Sequence, residues 1–337
     1  MMLAGIFKKT YRFNFQENHS PTQHQLALFL QCAGLKSTRR PCLAHFSDRH
    51  LNFSPDACEC LEFKHLLAQL VQRYCPAVMP ETYLFDASSW VANLNRLADA
   101  HYMTHRVLSD KIENMAWILK PALLNNGQHI KIFDHLSQIE SHYLQPNHLS
   151  GPHVLQRYIT DPDLIDGRKY SLRFFVVITR EAGAFLYPQG YLNVALAPYA
   201  AHDFNALNAH LTNEHLHHQD VSVEQIPTST FASWYPQIQS IVKSVTSGLE
   251  SAFPYAFTIQ KKRTFAVFGF DFMIDKQKRV WLLEANHGPC FPMNEDHPLQ
   301  QSLYRPFWEA MVKQFVLPIT TGEAMNRNGC AGFESMR

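Results

Sequence analysis

The 337-residue chain is 46% hydrophobic and carries 30 basic against 29 acidic residues, a formal net charge of +1. It has apolar residues enough for a large core, which excludes a disordered polyampholyte, and its charge balance gives no global pull toward nucleic acid or an anionic membrane. The opening run MMLAGIFKKTYRF is too short in apolar residues for a signal peptide, no stretch has the length of a transmembrane helix, and the seven scattered cysteines lack a CxxC pair, so the chain reads as reduced, cytoplasmic and without a structural zinc site.

In chain order, QHQLALFLQCAGL (23–35) has helical spacing and stops at Gly34. CLEFKHLLAQLVQRYCP (60–76) reads as one amphipathic helix closed by Pro76. WILKP (117–121) and HVLQRYI (153–159) read as short strands, and KYSLRFFVVIT (169–179) as a long one rich in aromatic and β-branched residues. AFLYPQGYLNVAL (184–196) is its expected neighbour, with a bend or bulge at Pro188 and Gly190. TFASWYPQIQSIVKSVTSGLES (230–251) reads as a long helix, VFGFDFMIDKQKRVWLLEAN (267–286) as a hairpin turning at Asp275–Lys278, and YRPFWEAMVKQFVLP (304–318) as a closing helix. From about Thr321 the tail reads as disordered. No strand is followed by a GxGxxG turn, and the late strands are joined by short turns. The pattern argues for an α+β enzyme rather than a doubly wound dinucleotide fold.

The hairpin raises the chemical question. Asp271, Glu284 and Asn286 stand inside very apolar segments, where an unpartnered carboxylate is costly. Glu284 and Asn286 are two apart and share a strand face; Asp271 joins them if the turn sets the register. Three converging oxygen donors suit a hard cation such as Mg²⁺; equally, the acids cap turns or pair with Arg or Lys. Lys120, leaving an apolar strand before a glycine-containing loop, is either a phosphate point charge or an ordinary strand-end lysine. QRYI (156–159) is either an extended hinge for a flat base or plain core. Lys169, Ser171 and Arg173 share one face of a strand whose other face is Leu172, Phe174, Val176 and Ile178; that face meets an anion or solvent. HLTNEHLHH offers His210, His215, His217 and His218 to zinc, but 217 and 218 are adjacent and no thiol is near. No Ser-His-Asp or Cys-His spacing is present.

Taken in order, WILKP, LQRYI, DGRKYSLRFFVVIT, FLYPQGYL, HLTN (210–213) and FGFDFMIDKQKRVWLLEAN, preceded by CLEFKHL and MPETY (79–83), resemble the tubulin–tyrosine ligase family of ATP-grasp ligases from about Tyr11 to the closing helix. The resemblance implies an ATP-grasp fold of N-terminal (1–62), central (63–150) and C-terminal (151–320) domains before a disordered tail (321–337), with ATP clamped between two sheets. It implies Asp271, Glu284 and Asn286 as Mg²⁺ ligands and Lys64 and Lys120 on the ATP phosphates. Gly127 would lie in the phosphate loop, and Gln156, Arg157, Tyr158 and Ile159 would form the adenine hinge. Lys169 and Ser171 would lie beside the adenosine, Thr212 and Asn213 on the nucleotide, and Arg173 near the γ-phosphate and incoming substrate; Arg173 and Lys64 are the expected catalytic pair. The implied activity is the joining of an amino acid to a protein or peptide carboxylate, tubulin among the acceptors, through an acyl phosphate. Length and the N-terminal match lean toward the tyrosine ligase proper rather than glutamylases. No nucleic acid or membrane partner is expected, and a monomer is the default.

Three positions depart from the family pattern. The phosphate loop reads Asn126-Gly127-Gln128-His129 where RGxG is usual, Ser171 replaces Asp, and Asn193 replaces Arg. They keep two alternatives open: a catalytically impaired nucleotide-binding or interaction module, and a ligase for a small peptide or metabolite.

Overall fold

Strand-forming sequence among the described residues is collected into three sheets, of three, four and seven strands, and helices cover what those sheets leave apolar. The computed structural model describes residues 10–15, 20–105, 116–125, 127–212, 224–228, 232–258, 263–292 and 296–337. At the N-terminus β1 (Arg12–Asn14), β2 (Lys36–Ser37) and β3 (Phe46–Ser47) form a small parallel sheet around helix α1 (Pro21–Cys32). Helices α2 (Pro55–Glu62) and α3 (Lys64–Tyr74) follow. Then β4 (Thr82–Phe85), β5 (Trp117–Pro121), β6 (Lys131–Phe133) and β7 (His153–Arg157) build an antiparallel sheet in the order β4-β7-β5-β6, packed on α4 (Trp90–His105) and α5 (Leu136–Leu144).

The third sheet has seven strands: β8 (Leu164–Ile165), β9 (Arg168–Thr179), β10 (Gly183–Val194), β11 (Glu224–Pro227), β12 (Phe265–Ile274), β13 (Val280–His287) and β14 (Glu334–Ser335). Its spine is β11-β10-β9-β12-β13, antiparallel throughout. Between β10 and β12 lie the short α6 (Leu207–His210) and the long α7 (Tyr235–Ala252); α8 (Arg305–Met311) and α9 (Leu317–Thr321), joined through π-helical turns, close the chain. Alternation divides the strand faces. Leu172, Phe174, Val176 and Ile178 of β9 pack with Phe268, Phe270 and Phe272 of β12 against α2, α3 and α7. Phe175 and Val177 pack on the opposite side with α1 and the closing helices. Among the described residues no helix is long and apolar enough to cross a membrane.

Three expectations are corrected. Residues 60–76 are two helices, because Phe63 adopts an extended backbone (φ −79°, ψ 118°) and the Lys64 amide donates to Ala122 O instead of continuing the helix. The long helix starts at Tyr235, with Pro236 in its first turn, the position where proline's missing N–H costs nothing. Residues 321–337 are not disordered: Phe185 and Leu186 of β10 pair with Ser335 and Glu334, and Phe333 and Met336 are buried. Three aromatic or thioether side chains, Met325, Phe333 and Met336, supply the apolar anchors that a reading of the glycines and asparagines overlooks.

Candidate functional site

The four-stranded and seven-stranded sheets face each other across a cleft of about 300 Å³. Gln156 and Arg157 line it from β7, Tyr158 and Ile159 from the residues just after that strand, and Lys120 and Ile118 from β5. Lys169, Ser171 and Arg173 line it from β9, and Asp271, Glu284 and Asn286 from the hairpin. The polar face of β9 therefore meets the cleft and not solvent; Lys169 is 2% exposed.

The hairpin register answers the question left open by the sequence. Asp271 is directly opposite Glu284, and Gly269 opposite Asn286. This requires a bulge, since Phe272 pairs with Leu282 and Leu283 is the additional residue. Without it, Val280, Leu282, Glu284 and Asn286 would share one face. With it, Val280 and Leu282 enter the core while Glu284 and Asn286 turn to the cleft, as bulges beside functional sites do.

Within the cleft the charges are paired. Arg173 donates from Nε to Asp271 Oδ1 at 2.7 Å and from Nη2 to Oδ2 at 2.6 Å, the bidentate fork that guanidinium geometry favours. Burial pushes the Asp271 carboxyl up to about 6 against the pull of Arg173. Lys64, at the first position of α3, lies 3.5 Å from Glu284 Oε2 and donates to Leu124 O at 2.8 Å. Burial also raises Glu284, but Lys64 and Lys120 outweigh it and hold the carboxyl at about 2. Asn286 Nδ2 donates to both acids, at 3.0 Å to Asp271 and 3.2 Å to Glu284. Lys120 donates to Gln156 Oε1 at 2.9 Å, and Gln156 to Thr82. Burial lowers Lys120 to about 8 and Lys169 to about 7.

The donor set fits Mg²⁺. Two carboxylates and a carboxamide meet at the cleft floor, all capable of oxygen ligation; the Asn286 amide donates to both acids as it stands, and turning it would present Oδ1 to a cation instead. Among the described residues no three His, Cys, Asp or Glu side chains converge on one point, so a cation here would complete its shell with oxygens from outside the protein, water included. His210 is committed to Tyr158 and to Asp203 O, and His215, His217 and His218 lie outside the described residues.

Other expected positions vary. Thr212 lines the cleft and donates to Ser171 Oγ at 2.8 Å, and Asn193 lines it while accepting from Gln225 at 3.0 Å. Asn213 and Asn126 lie outside the described residues. Gly127 is not brought to the cleft wall; its neighbours Asn125 and Ile130 are. Gly127 has φ 71° and His129 φ 56°, so the histidine in place of the second glycine does take the left-handed conformation, at a cost of roughly 1–2 kcal/mol. The sequence reading missed Ile118 and Met273, two positions from Lys120 and Asp271 and findable by alternation. It also missed Leu283, which only the bulge brings round, and Glu62 and His287, a pair 3.8 Å apart at the cleft edge.

The family model of the tubulin-tyrosine ligase family matches residues 51–324. Similar curated proteins include a probable tubulin polyglutamylase of Homo sapiens, 24% identical over 315 residues that cover 86% of this chain and 46% of the relative. A protein polyglycylase of Macaca fascicularis is 26% identical over 266 residues, 68% of this chain and 40% of the relative. A probable tubulin–tyrosine ligase of Saccharomyces cerevisiae is 23% identical over 314 residues, 76% of this chain and 41% of the relative. The chain spans less than half the length of each of these relatives.

Proposed function

The chain belongs to the tubulin–tyrosine ligase family, and from that premise we propose that it is an ATP-dependent ligase joining an amino acid to a carboxylate of a protein or peptide acceptor, with tubulin the first acceptor to try. One observation carries the reading: Asp271, Glu284 and Asn286 meet on the floor of a cleft between two sheets, with Lys64, Lys120 and Arg173 around them. The γ-phosphoryl of ATP passes to the acceptor carboxylate and gives an acyl phosphate. The amino group then attacks its carbonyl, phosphate leaves, and an amide bond remains. Such transfer needs positioning and charge neutralisation rather than a protein nucleophile. Asp271, Glu284 and Asn286 would hold Mg²⁺, which would offset charge on the phosphate oxygens. Lys120 and Lys64 place two ammonium groups above the same floor. Arg173, paired with Asp271 in the free protein, is the cation next to the transferred group.

The relatives named above are described as a polyglutamylase, a polyglycylase and a tyrosine ligase at 23–26% identity, so tyrosination is one arm of the experiment. Purified protein is incubated with MgATP, tubulin or synthetic peptides, and tyrosine, glutamate or glycine singly, and the acceptor is weighed by mass spectrometry. One amino acid should add its residue mass. Glu284→Gln should abolish the addition with the circular dichroism spectrum unchanged; undiminished ligation in that variant sinks the metal assignment. A second reading, a nucleotide-binding module without turnover, is favoured by His129 closing the phosphate loop and by neutral Ser171 and Asn193 in the cleft. MgATP binding with no addition to any acceptor would support it, and addition to free peptides but not to tubulin would support a small-substrate ligase.

A further inference from the structure

Lys169 is a buried ammonium in the cleft wall, and among the described residues no carboxylate pairs with it. Its Nζ donates to Tyr158 Oη at 2.7 Å and lies 4.1 Å from the centre of that ring. The same hydroxyl is 2.7 Å from His210 Nδ1, and His210 Nε2 is 2.8 Å from the carbonyl oxygen of Asp203. A carbonyl only accepts, so Nε2 carries the proton and Nδ1 presents its lone pair. The Tyr158 hydroxyl therefore donates to His210, and its own lone pairs are left facing Lys169. The Asp203 carbonyl thus sets the tautomer of His210, while the Tyr199 hydroxyl, which donates to Thr160 O at 2.6 Å, also meets the Tyr158 hydroxyl and is its second acceptor. His210 is 2% exposed and is enclosed by the rings of Tyr158, Tyr199 and Phe204.

We infer that His210 is a positioning residue: through the Tyr158 hydroxyl it fixes an oxygen acceptor under Lys169, and so holds that amine in place in the wall of the nucleotide cleft and favours its charged form. The inference deepens the ligase reading and rests on it for the ligand. The groups facing His210 are Tyr158 from the end of β7, Lys169 from β9, and Asp203 and Tyr199 from the loops before α6; Lys120 faces Lys169 from β5. Burial and the Lys169 charge both keep His210 below its usual value, so the neutral ring is the resident form at pH 7. Protonation would turn Nδ1 into a donor and leave Tyr158 Oη between two cations.

The test begins without nucleotide. Lysine labelled with ¹³C at Cε is titrated by NMR, with the Lys169 signal assigned by its loss in Lys169→Met. His210→Phe keeps the ring and removes both nitrogens, Tyr158→Phe removes one oxygen, and His210→Asn keeps an acceptor near the Nδ1 position. The Lys169 midpoint should fall by about one pH unit in the two Phe variants and hold in His210→Asn. In calorimetric titrations with MgATP, His210→Phe should weaken binding about tenfold, and that loss should vanish in the Lys169→Met background. An unmoved midpoint in Tyr158→Phe, which tests the relay even if His210→Phe fails to fold, overturns the inference. So does a loss of affinity that persists without Lys169, since that would mean a packing role only. Wild-type protein that binds no MgATP would instead sink the ligase reading, with the NMR titration still deciding the role of His210.

Discussion

Lys120 and Lys169 are two buried ammonium groups whose burial lowers them to about 8 and about 7. Between these values and the ordinary lysine value near 10.4, the unfolded chain holds more protons than the folded one, so the stability of the free protein rises with pH across that window. A polyanion in the cleft reverses the preference, because phosphate favours the charged ammonium. MgATP binding should therefore take up protons at pH 8; at pH 6, where both lysines are already charged, the Asp271 carboxyl held at about 6 should instead release protons as the metal binds. Calorimetry in buffers of different ionisation enthalpy reads this directly, and no uptake at pH 8 would mean that neither lysine meets the ligand. The alternation of Lys169, Ser171 and Arg173 is plain in the sequence. Their burial is not, because it depends on β9 lying between β10 and β12. Arg173 also depends on two glycines that no local pattern singles out. A Cβ at Gly190 would run into the Arg173 carbonyl, and one at Gly269 would come 3.2 Å from Arg173 Cδ, so Gly269→Ala would press on the guanidinium that grips Asp271.

At the scale of elements, the strands were the legible part: WILKP, KYSLRFFVVIT and the hairpin stand where their alternation and aromatic content put them. What could not be read is where alternation is interrupted. Leu283 shifts the phase of β13, and only the pairing of Asp271 with Glu284 reveals it. Phe63 breaks an amphipathic pattern that runs on through it, and the break sets Lys64 beside Glu284. The tail illustrates the opposite error, composition outweighing anchors. Beyond its pairing with β10, Glu334 accepts from Tyr235 at 2.8 Å and Gln239 at 2.7 Å, and the Met336 amide donates to Ala184 O. Truncation after residue 328 removes buried Phe333 and Met336 and uncovers the β10 edge at Phe185 and Leu186. The side chains alone should cost about 4 kcal/mol or more, a fall of roughly 6 °C in melting temperature, with aggregation from the freed edge. A melting temperature within 2 °C of the full chain, by calorimetry, would show the strand to be incidental.

For the whole molecule, the two sheets differ in how they are held. The seven-stranded sheet is packed on both faces by two extensive clusters, whereas the four-stranded sheet rests on two small ones, centred on Phe85, Trp117, Leu119 and Ile139 and on Ala116, Ile118, Tyr158 and Leu211. Across the cleft the links are polar, where Lys64, ahead of the small sheet, reaches Glu284 and the Leu124 carbonyl and Lys169 reaches Tyr158, and apolar, where Leu211 packs on Ile118 and Tyr158. Local stability should follow this division, with the small sheet opening well below the cost of global unfolding. A nucleotide lying between Lys120 on one sheet and the hairpin acids on the other binds only when both are in place. It should stabilise the assembled state by about 2.7 kcal/mol at a hundredfold excess over Kd. Hydrogen exchange with and without MgATP should accordingly show β5 and β7 slowed by up to about a hundredfold, and the centres of β9 and β12, which exchange only through global unfolding, slowed by about the same factor because that unfolding also releases the ligand. Asp271→Asn should lose the protection while keeping the same exchange pattern in the absence of nucleotide. Slowing confined to the hairpin would place the ligand on the large sheet alone, and the two-sheet clamp would have to be given up.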